Sequence, residues 1–161
     1  MAQLKTQRVD VPRPGVRTLL PAALATWVGL AIVAVINGVV RETVFVSALG
    51  EQTAHVLSTA ILVAAVVAGA SLFVSRYART AARATLLGIG AGWVALTVGF
   101  EFVFGHYVDG KSWAVLLADY DLLAGRVWIA VPLALLLAPA VVAWLLDRRE
   151  GVEEFREPIL R

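Results

Sequence analysis

Two charged residues, Glu101 and Arg126, interrupt two long apolar segments of this sequence, and two histidines, His55 and His106, lie directly beside the ends of such segments. An ionisable side chain inside an apolar segment is costly, and such groups usually face one another or a functional cavity. A carboxylate, a guanidinium and two imidazoles can form an ion pair, hold a polar ligand, relay protons, or bind a metal or haem. The choice depends on the elements that position these side chains.

Those elements are predicted by composition. Of the 161 residues, 60% are hydrophobic and 16% are charged, whereas soluble domains average about 45–50% and about 25%. Four apolar segments, at about 19–40, 56–75, 84–105 and 122–146, reach the roughly 20 residues that a helix needs to cross a bilayer. The sequence therefore predicts an all-α, four-helix transmembrane bundle over residues 18–147, between tails at 1–17 and 148–161.

The distribution of Lys and Arg predicts the orientation of this bundle. Both tails and the loop between the second and third segments are rich in Arg, whereas the other two loops combine a few basic residues with Asp and Glu. Because basic residues accumulate on the cytoplasmic side, we expect both termini to be cytoplasmic. The basic residues form no stripe with interleaved aromatics, so the bilayer is the expected partner and nucleic acid is not.

The loop between the third and fourth segments, which is the second of the two outer loops on the side opposite the termini, has a helical pattern of its own. Ser112 can cap a short helix, and Trp113, Leu116, Leu117 and Tyr120 follow it at helical spacing. An apolar stripe of this kind predicts a short interfacial helix that lies on the membrane surface.

Counting inward from the outer ends of the four segments places polar residues from all of them at one level, roughly 5–6 Å deep at about 1.5 Å per residue. The residues at this level are Asn37, Ser58, Thr59, Glu101 and Arg126. Glu101 and Arg126 are the opposite charges among them. We therefore expect these two to form an ion pair inside the bundle, with Asn37 and Ser58 or Thr59 completing the hydrogen bonds.

A second group of polar residues lies just above this level and consists of Arg41, Glu42, His55 and His106. Three interpretations of the combined polar layer remain open: a structural clasp, a site for a polar ligand, ion or proton path, and a metal or haem site that uses the two histidines. The histidine spacing matches no Glu-x-x-His motif, and the sequence has no nucleophile elbow and no cysteine. We therefore predict neither catalytic nor metal-ligating residues, and the chain is not expected to be an enzyme.

Pairs of small residues predict close helix packing. Gly88 and Gly92, and Ala65 and Gly69, are each spaced four residues apart, which lets another helix approach closely. The approaching helix would belong to the same bundle or to another copy of the chain.

Three stretches, NGVVRE (37–42), FEFVFGHYVDGKSW (100–113) and DYDLLAGRVW (119–128), resemble a family of uncharacterised four-span bacterial membrane proteins. The resemblance implies a four-span architecture, a bacterial origin and no particular activity. We therefore expect a multi-pass protein of the bacterial inner membrane. Small size and the lack of a catalytic motif favour an accessory or scaffolding subunit of a larger membrane complex, or a homo-oligomer. The alternatives are a small transporter or channel that uses the polar layer, and a membrane protein that binds haem, a metal or a quinone.

Overall fold

The computed structural model describes residues 14–118, 120–121 and 127–156, and all the regular elements in this part of the chain are helices. They are α1 (Val16–Leu49), α2 (Glu51–Ala78), α3 (Arg83–Tyr107), α4 (Trp113–Ala118) and α5 (Ala130–Arg156). The first three, and α5 from Ala130 to Arg149, are long and apolar enough to cross a membrane. The predicted all-α fold with four transmembrane helices is therefore confirmed, and these features are those of a multi-pass membrane protein.

Helix α1 continues well beyond the predicted span and includes much of the predicted first outer loop. One π-helical stretch, Arg41–Phe45, carries the backbone hydrogen bonding past the charged residues and into Val46–Leu49. Gly50 then reverses the chain in a single residue, with φ at +79°, a conformation that is unfavourable for residues with a Cβ atom. We call the end of the bundle that contains Gly50 and α4 the upper end, and the opposite end the lower end.

The four long helices form a ring. α1 packs on α2, α2 on α5 and α5 on α3, and the ring closes where α3 returns to α1. Two tryptophans make this closure in the lower part of the bundle: Trp93 Nε1 donates to the carbonyl oxygen of Ala23 at 2.9 Å, and Trp27 Nε1 donates to Thr97 Oγ1 at 3.0 Å. Trp93 is buried and meets Phe73 edge to face, with ring centroids 5.6 Å apart.

Close packing between the described helices occurs at Gly90, which was not predicted, and at Gly69, which was, but not at Gly88 and Gly92. A Cβ atom added to Gly90 would lie 2.3 Å from the carbonyl oxygen of Leu136, so α3 and α5 touch backbone to backbone there. Gly88 and Gly92 are exposed, and among the described residues no neighbour lies within 4 Å of their added Cβ atoms. Of the two partners expected for this pair, the described helices of the same bundle are excluded, since Gly88 and Gly92 lie on the face of α3 opposite Gly90. Gly69 does contact α1, where Leu30 lies 3.0 Å from its added Cβ atom.

Helix α5 begins later than the predicted fourth span. Residues 127–129 form a turn and the helix starts at Ala130. Pro132 lies in the first turn, where a missing backbone N–H costs no intrahelical hydrogen bond. This late start leaves Trp128 in the connection above α5, close to α3, where it contributes to the candidate site.

Candidate functional site

The polar residues of α1 and α2 meet as their depths predict. Asn37 Nδ2 donates to Ser58 Oγ at 2.6 Å and to the Ser58 carbonyl oxygen at 3.1 Å. Ser58 is buried and Asn37 is partly buried. In an apolar environment such a pair satisfies groups that lipid cannot satisfy, and it fixes the register of the two helices.

One turn above, Arg41 joins its own helix to α2. Its guanidinium donates to Glu42 Oε1, through Nη2 at 2.6 Å and Nε at 3.1 Å. Its Nη1 lies 3.2 Å from His55 Nδ1. Because a guanidinium has only donors, this contact is a hydrogen bond when His55 Nδ1 carries no proton. The π-helical stretch starts at Arg41, so the helix widens at the residue that makes these contacts.

Glu101 on α3 is partly buried, and its described partners come from the connection between α4 and α5. Its Oε2 accepts a hydrogen bond from the Tyr120 hydroxyl at 2.5 Å and another from Trp128 Nε1 at 3.1 Å. Both donors are amphipathic aromatic side chains, which bury a ring and direct one polar atom to a partner. Arg126, the predicted partner of Glu101, lies outside the described residues, so the predicted ion pair stays a prediction.

Helix α4 forms where it was predicted and packs down on α3. Ser112 caps it: its Oγ accepts from the backbone N–H of Val115 at 3.4 Å, as the side chain of an N-cap residue does. Leu116 is buried against Gly105, where its Cδ2 lies 2.6 Å from an added Cβ atom. Trp113 stacks on His106 at 4.0 Å between ring centroids.

This packing changes the interpretation of the predicted apolar stripe. Trp113, Leu116 and Tyr120 contact α3, and only Leu117 of the four points fully away, with 59% of its surface exposed. The stripe is thus mainly an internal contact. The position of α4 relative to a membrane surface stays a prediction.

These elements line a cavity of about 840 Å³ in the upper half of the bundle, which opens to the surroundings between α1 and α3. Its lower part is mainly apolar, with Ala34, Leu62 and Phe100 beside Thr97 in the wall. Its upper part is polar and charged. The polar and charged side chains that line it are those of Asn37, Arg41, Glu42, Thr43, His55, Ser58, Thr97, Glu101, Asp109, Lys111 and Trp128.

A second, apolar cavity of about 40 Å³ lies directly below and shares wall residues such as Leu62 and Phe100 with the upper one. Trp27 and Thr97, whose side chains are hydrogen-bonded, belong to its lining. The space between α1 and α3 therefore narrows from a wide polar mouth to a small apolar pocket beside the tryptophan closure.

The structure brings most of the predicted polar layer into one place. Six predicted residues line the upper cavity: Asn37, Arg41, Glu42, His55, Ser58 and Glu101. Thr59 is buried but does not line it, and His106 turns to α4, where its Nδ1 lies 2.9 Å from the carbonyl oxygen of Lys111. Sequence reasoning missed the wall residues Trp128, Asp109 and Lys111.

The haem and metal interpretation gains no support from this geometry. His55 lines the cavity and contacts Arg41, whereas His106 is stacked on Trp113 outside the lining. In the described ranges, no group of three or more His, Cys, Asp and Glu residues is placed to hold a metal ion. The arrangement is better suited to an organic ligand, since ligand pockets of about 300–1,000 Å³ combine apolar walls with a few polar groups.

Comparisons with protein-family models, with curated proteins and with solved structures gave no match.

Proposed function

We propose that this protein is a multi-pass membrane protein that binds an amphipathic small molecule in the upper cavity, with the polar part of the ligand at the charged mouth. The cavity of about 840 Å³ is the observation that carries the proposal. A purely structural clasp needs the polar groups to meet each other but does not need a space of this size beside them. The apolar lower wall and the polar upper wall match the two parts of such a ligand.

Access from the bilayer supports the same conclusion. The cavity lies where α1 and α3 complete the ring, and its wall includes exposed apolar residues of both helices, among them Val35, Val39 and Phe104. A ligand dissolved in lipid can thus enter sideways between the two helices. The tryptophan hydrogen bonds hold the same helices together lower down.

Two glycines of α1 provide a matched test. Gly38 lines the cavity, Gly29 does not, and no described neighbour lies within 4 Å of an added Cβ atom at either position. A photoreactive diazirine fatty acid should crosslink to Leu62, which is buried from the surroundings but lines the cavity. Gly38→Trp should abolish this crosslink by filling the space, and Gly29→Trp should preserve it.

Peptide mapping by mass spectrometry reads out the crosslink position. Crosslinks confined to outward-facing residues outside the cavity lining, such as Ile32 and Ile36, would contradict the proposal, because they would report ordinary contact with lipid. Equal Leu62 crosslinking in both variants would contradict it as well.

The second candidate function is an accessory subunit of a larger membrane complex or a homo-oligomer. The exposed small residues of α3 favour it, since Gly88, Gly92, Ala95 and Gly99 follow one another at helical spacing on a surface that no described element covers. Native mass spectrometry from mild detergent tests this function. A single-chain mass for both the wild type and Gly92→Leu would count against it.

The location proposed for either function is a bacterial inner membrane with both termini in the cytoplasm. The resemblance to bacterial four-span proteins and the concentration of Arg at the lower end support this location.

A further inference from the structure

We propose that the ligand of the upper cavity is a membrane lipid with a zwitterionic head group, which places its phosphate and ammonium groups at the mouth and one acyl chain against the apolar wall. This inference rests on the proposed function and adds the chemical class of the ligand.

Two ion pairs lie at the mouth of the cavity. Arg41 Nη2 lies 2.6 Å from Glu42 Oε1, and Lys111 Nζ lies 3.3 Å from Asp109 Oδ2. One pair belongs to α1 and the other to the connection after α3, and all four residues line the same cavity. Their side chains remain between 30% and 63% exposed, so each charge can still reach a ligand.

The alternation of charge selects the head group. The four rim residues carry no net charge, with one cation and one anion on each side of the mouth. A phosphate can accept hydrogen bonds from Arg41 and Lys111, which suit phosphate oxygens. The ammonium of the same head group can donate to Glu42 and Asp109. An anionic head group has the same phosphate but lacks the ammonium, so Glu42 and Asp109 would face its negative charge with no cation of the ligand to offset it, which costs free energy.

The height of the mouth agrees with a lipid in its usual position. Residues Thr18–Val40 carry no charged side chain, and as a helix they span roughly 34 Å at about 1.5 Å per residue. A bilayer has a hydrocarbon core of about 30 Å, so Arg41 follows at the level of the head groups. The apolar wall at Leu62 and Phe100 lies below it, next to the small apolar cavity. An acyl chain that descends from the mouth would meet these residues.

The test compares two lipids that differ in head-group charge. The full chain is reconstituted into nanodiscs with equal amounts of phosphatidylethanolamine and phosphatidylglycerol of identical acyl chains, then released into mild detergent for native mass spectrometry. We expect one retained phosphatidylethanolamine per chain, favoured at least fivefold over phosphatidylglycerol. Lys111→Gln and Arg41→Gln should each reduce this preference at least threefold.

Matched controls separate a site from general charge effects. Arg76→Gln and Arg83→Gln remove exposed cations at the lower end and should leave the preference unchanged. Lys111 lies outside the helices, so its substitution tests the mouth without altering a helix, and circular dichroism checks that the Arg41 variant keeps its helical content.

Failure of this inference is distinguishable from failure of the proposed function. If the two lipids are retained in equal amounts and Gly38→Trp removes both, the cavity binds an amphipathic ligand but does not select a zwitterionic one, and the inference is overturned. If the mouth variants leave the preference unchanged, the ion pairs are not the recognition groups and the inference is overturned. If Gly38→Trp displaces no retained lipid, and the Leu62 crosslink is also absent from the wild type, both proposals are overturned.

Discussion

At the scale of single residues, Glu101 shows how a charge is accommodated between apolar helices. Its Oε2 accepts from Tyr120 and Trp128, and hydrogen bonds to a charged group are stronger than those between neutral groups. The carboxylate thereby anchors the connection between α4 and α5 to α3. Loss of one donor should therefore loosen this connection.

We expect Tyr120→Phe to lower the free energy of unfolding in detergent by about 1–2 kcal/mol, because it removes one donor to the carboxylate and little apolar area. Tyr107→Phe is the matched control, since Tyr107 is 75% exposed and should change stability little. Unfolding followed by circular dichroism measures both. A Tyr120 variant as stable as the control would show that this hydrogen bond contributes nothing to the fold.

The predicted pair of Glu101 and Arg126 has a separate test. Removal of one partner of a buried ion pair costs about 3–5 kcal/mol in proteins generally, and less where a side chain can reach water. Glu101→Gln and Arg126→Gln should each destabilise the protein, and the double variant should be less destabilised than the sum. Simple addition of the two effects would mean that the residues do not interact directly.

The depth of each polar residue along its helix could be predicted from the sequence, whereas the partner that its side chain meets could not. Counting residues from the helix ends predicted that Asn37 and Ser58 lie at one level, and they are hydrogen-bonded at 2.6 Å. Counting could not reveal that Glu101 would meet Trp128, because α5 starts at Ala130 and leaves Trp128 in a turn. Nor could it place Thr59, the neighbour of Ser58, outside the cavity lining.

At the scale of elements, spacing predicts which residues share a face but not which neighbour that face meets. α1 and α3 are apolar around most of their circumference, so hydropathy gave no reason to choose the face of Gly90 over the face of Gly88 and Gly92. The position of α5 decides which face of α3 is packed, because the backbone of α5 contacts α3 at Gly90. The four-residue glycine spacing was real, but it marks an exposed face.

This contrast gives a sharp prediction. Gly90→Ala should destabilise the bundle by about 1–3 kcal/mol or more, since the added methyl group would meet the backbone of Leu136, which cannot rotate away as a side chain can. Gly88→Ala and Gly92→Ala should be neutral or slightly stabilising, because alanine favours a helix over glycine. Thermal unfolding of the three variants in one detergent provides the measurement. Similar effects at all three positions would contradict the packing of α3 on α5.

At the scale of the whole molecule, the bundle is asymmetric from end to end. In its lower part, Trp27 and Trp93 join α1 to α3. In its upper part, the same helices line the cavity. The described cations are also unevenly placed: Arg17, Arg76, Arg79, Arg83, Arg148 and Arg149 lie at the lower end, whereas Arg41 and Lys111 lie at the upper end.

This charge asymmetry predicts that the lower end faces the cytoplasm and that the cavity opens on the other side. Orientation follows the number of Lys and Arg residues in short connections, with little contribution from Asp and Glu. The chain has no cysteine, so Gln52→Cys and Thr80→Cys each introduce a single thiol, at exposed positions of the upper and lower ends. A membrane-impermeant maleimide added to intact cells should label Gln52→Cys and not Thr80→Cys. Permeabilised cells provide the control, in which both variants should be labelled. The reverse pattern in intact cells would place the cavity on the cytoplasmic side, where a ligand would have to be drawn from the inner leaflet.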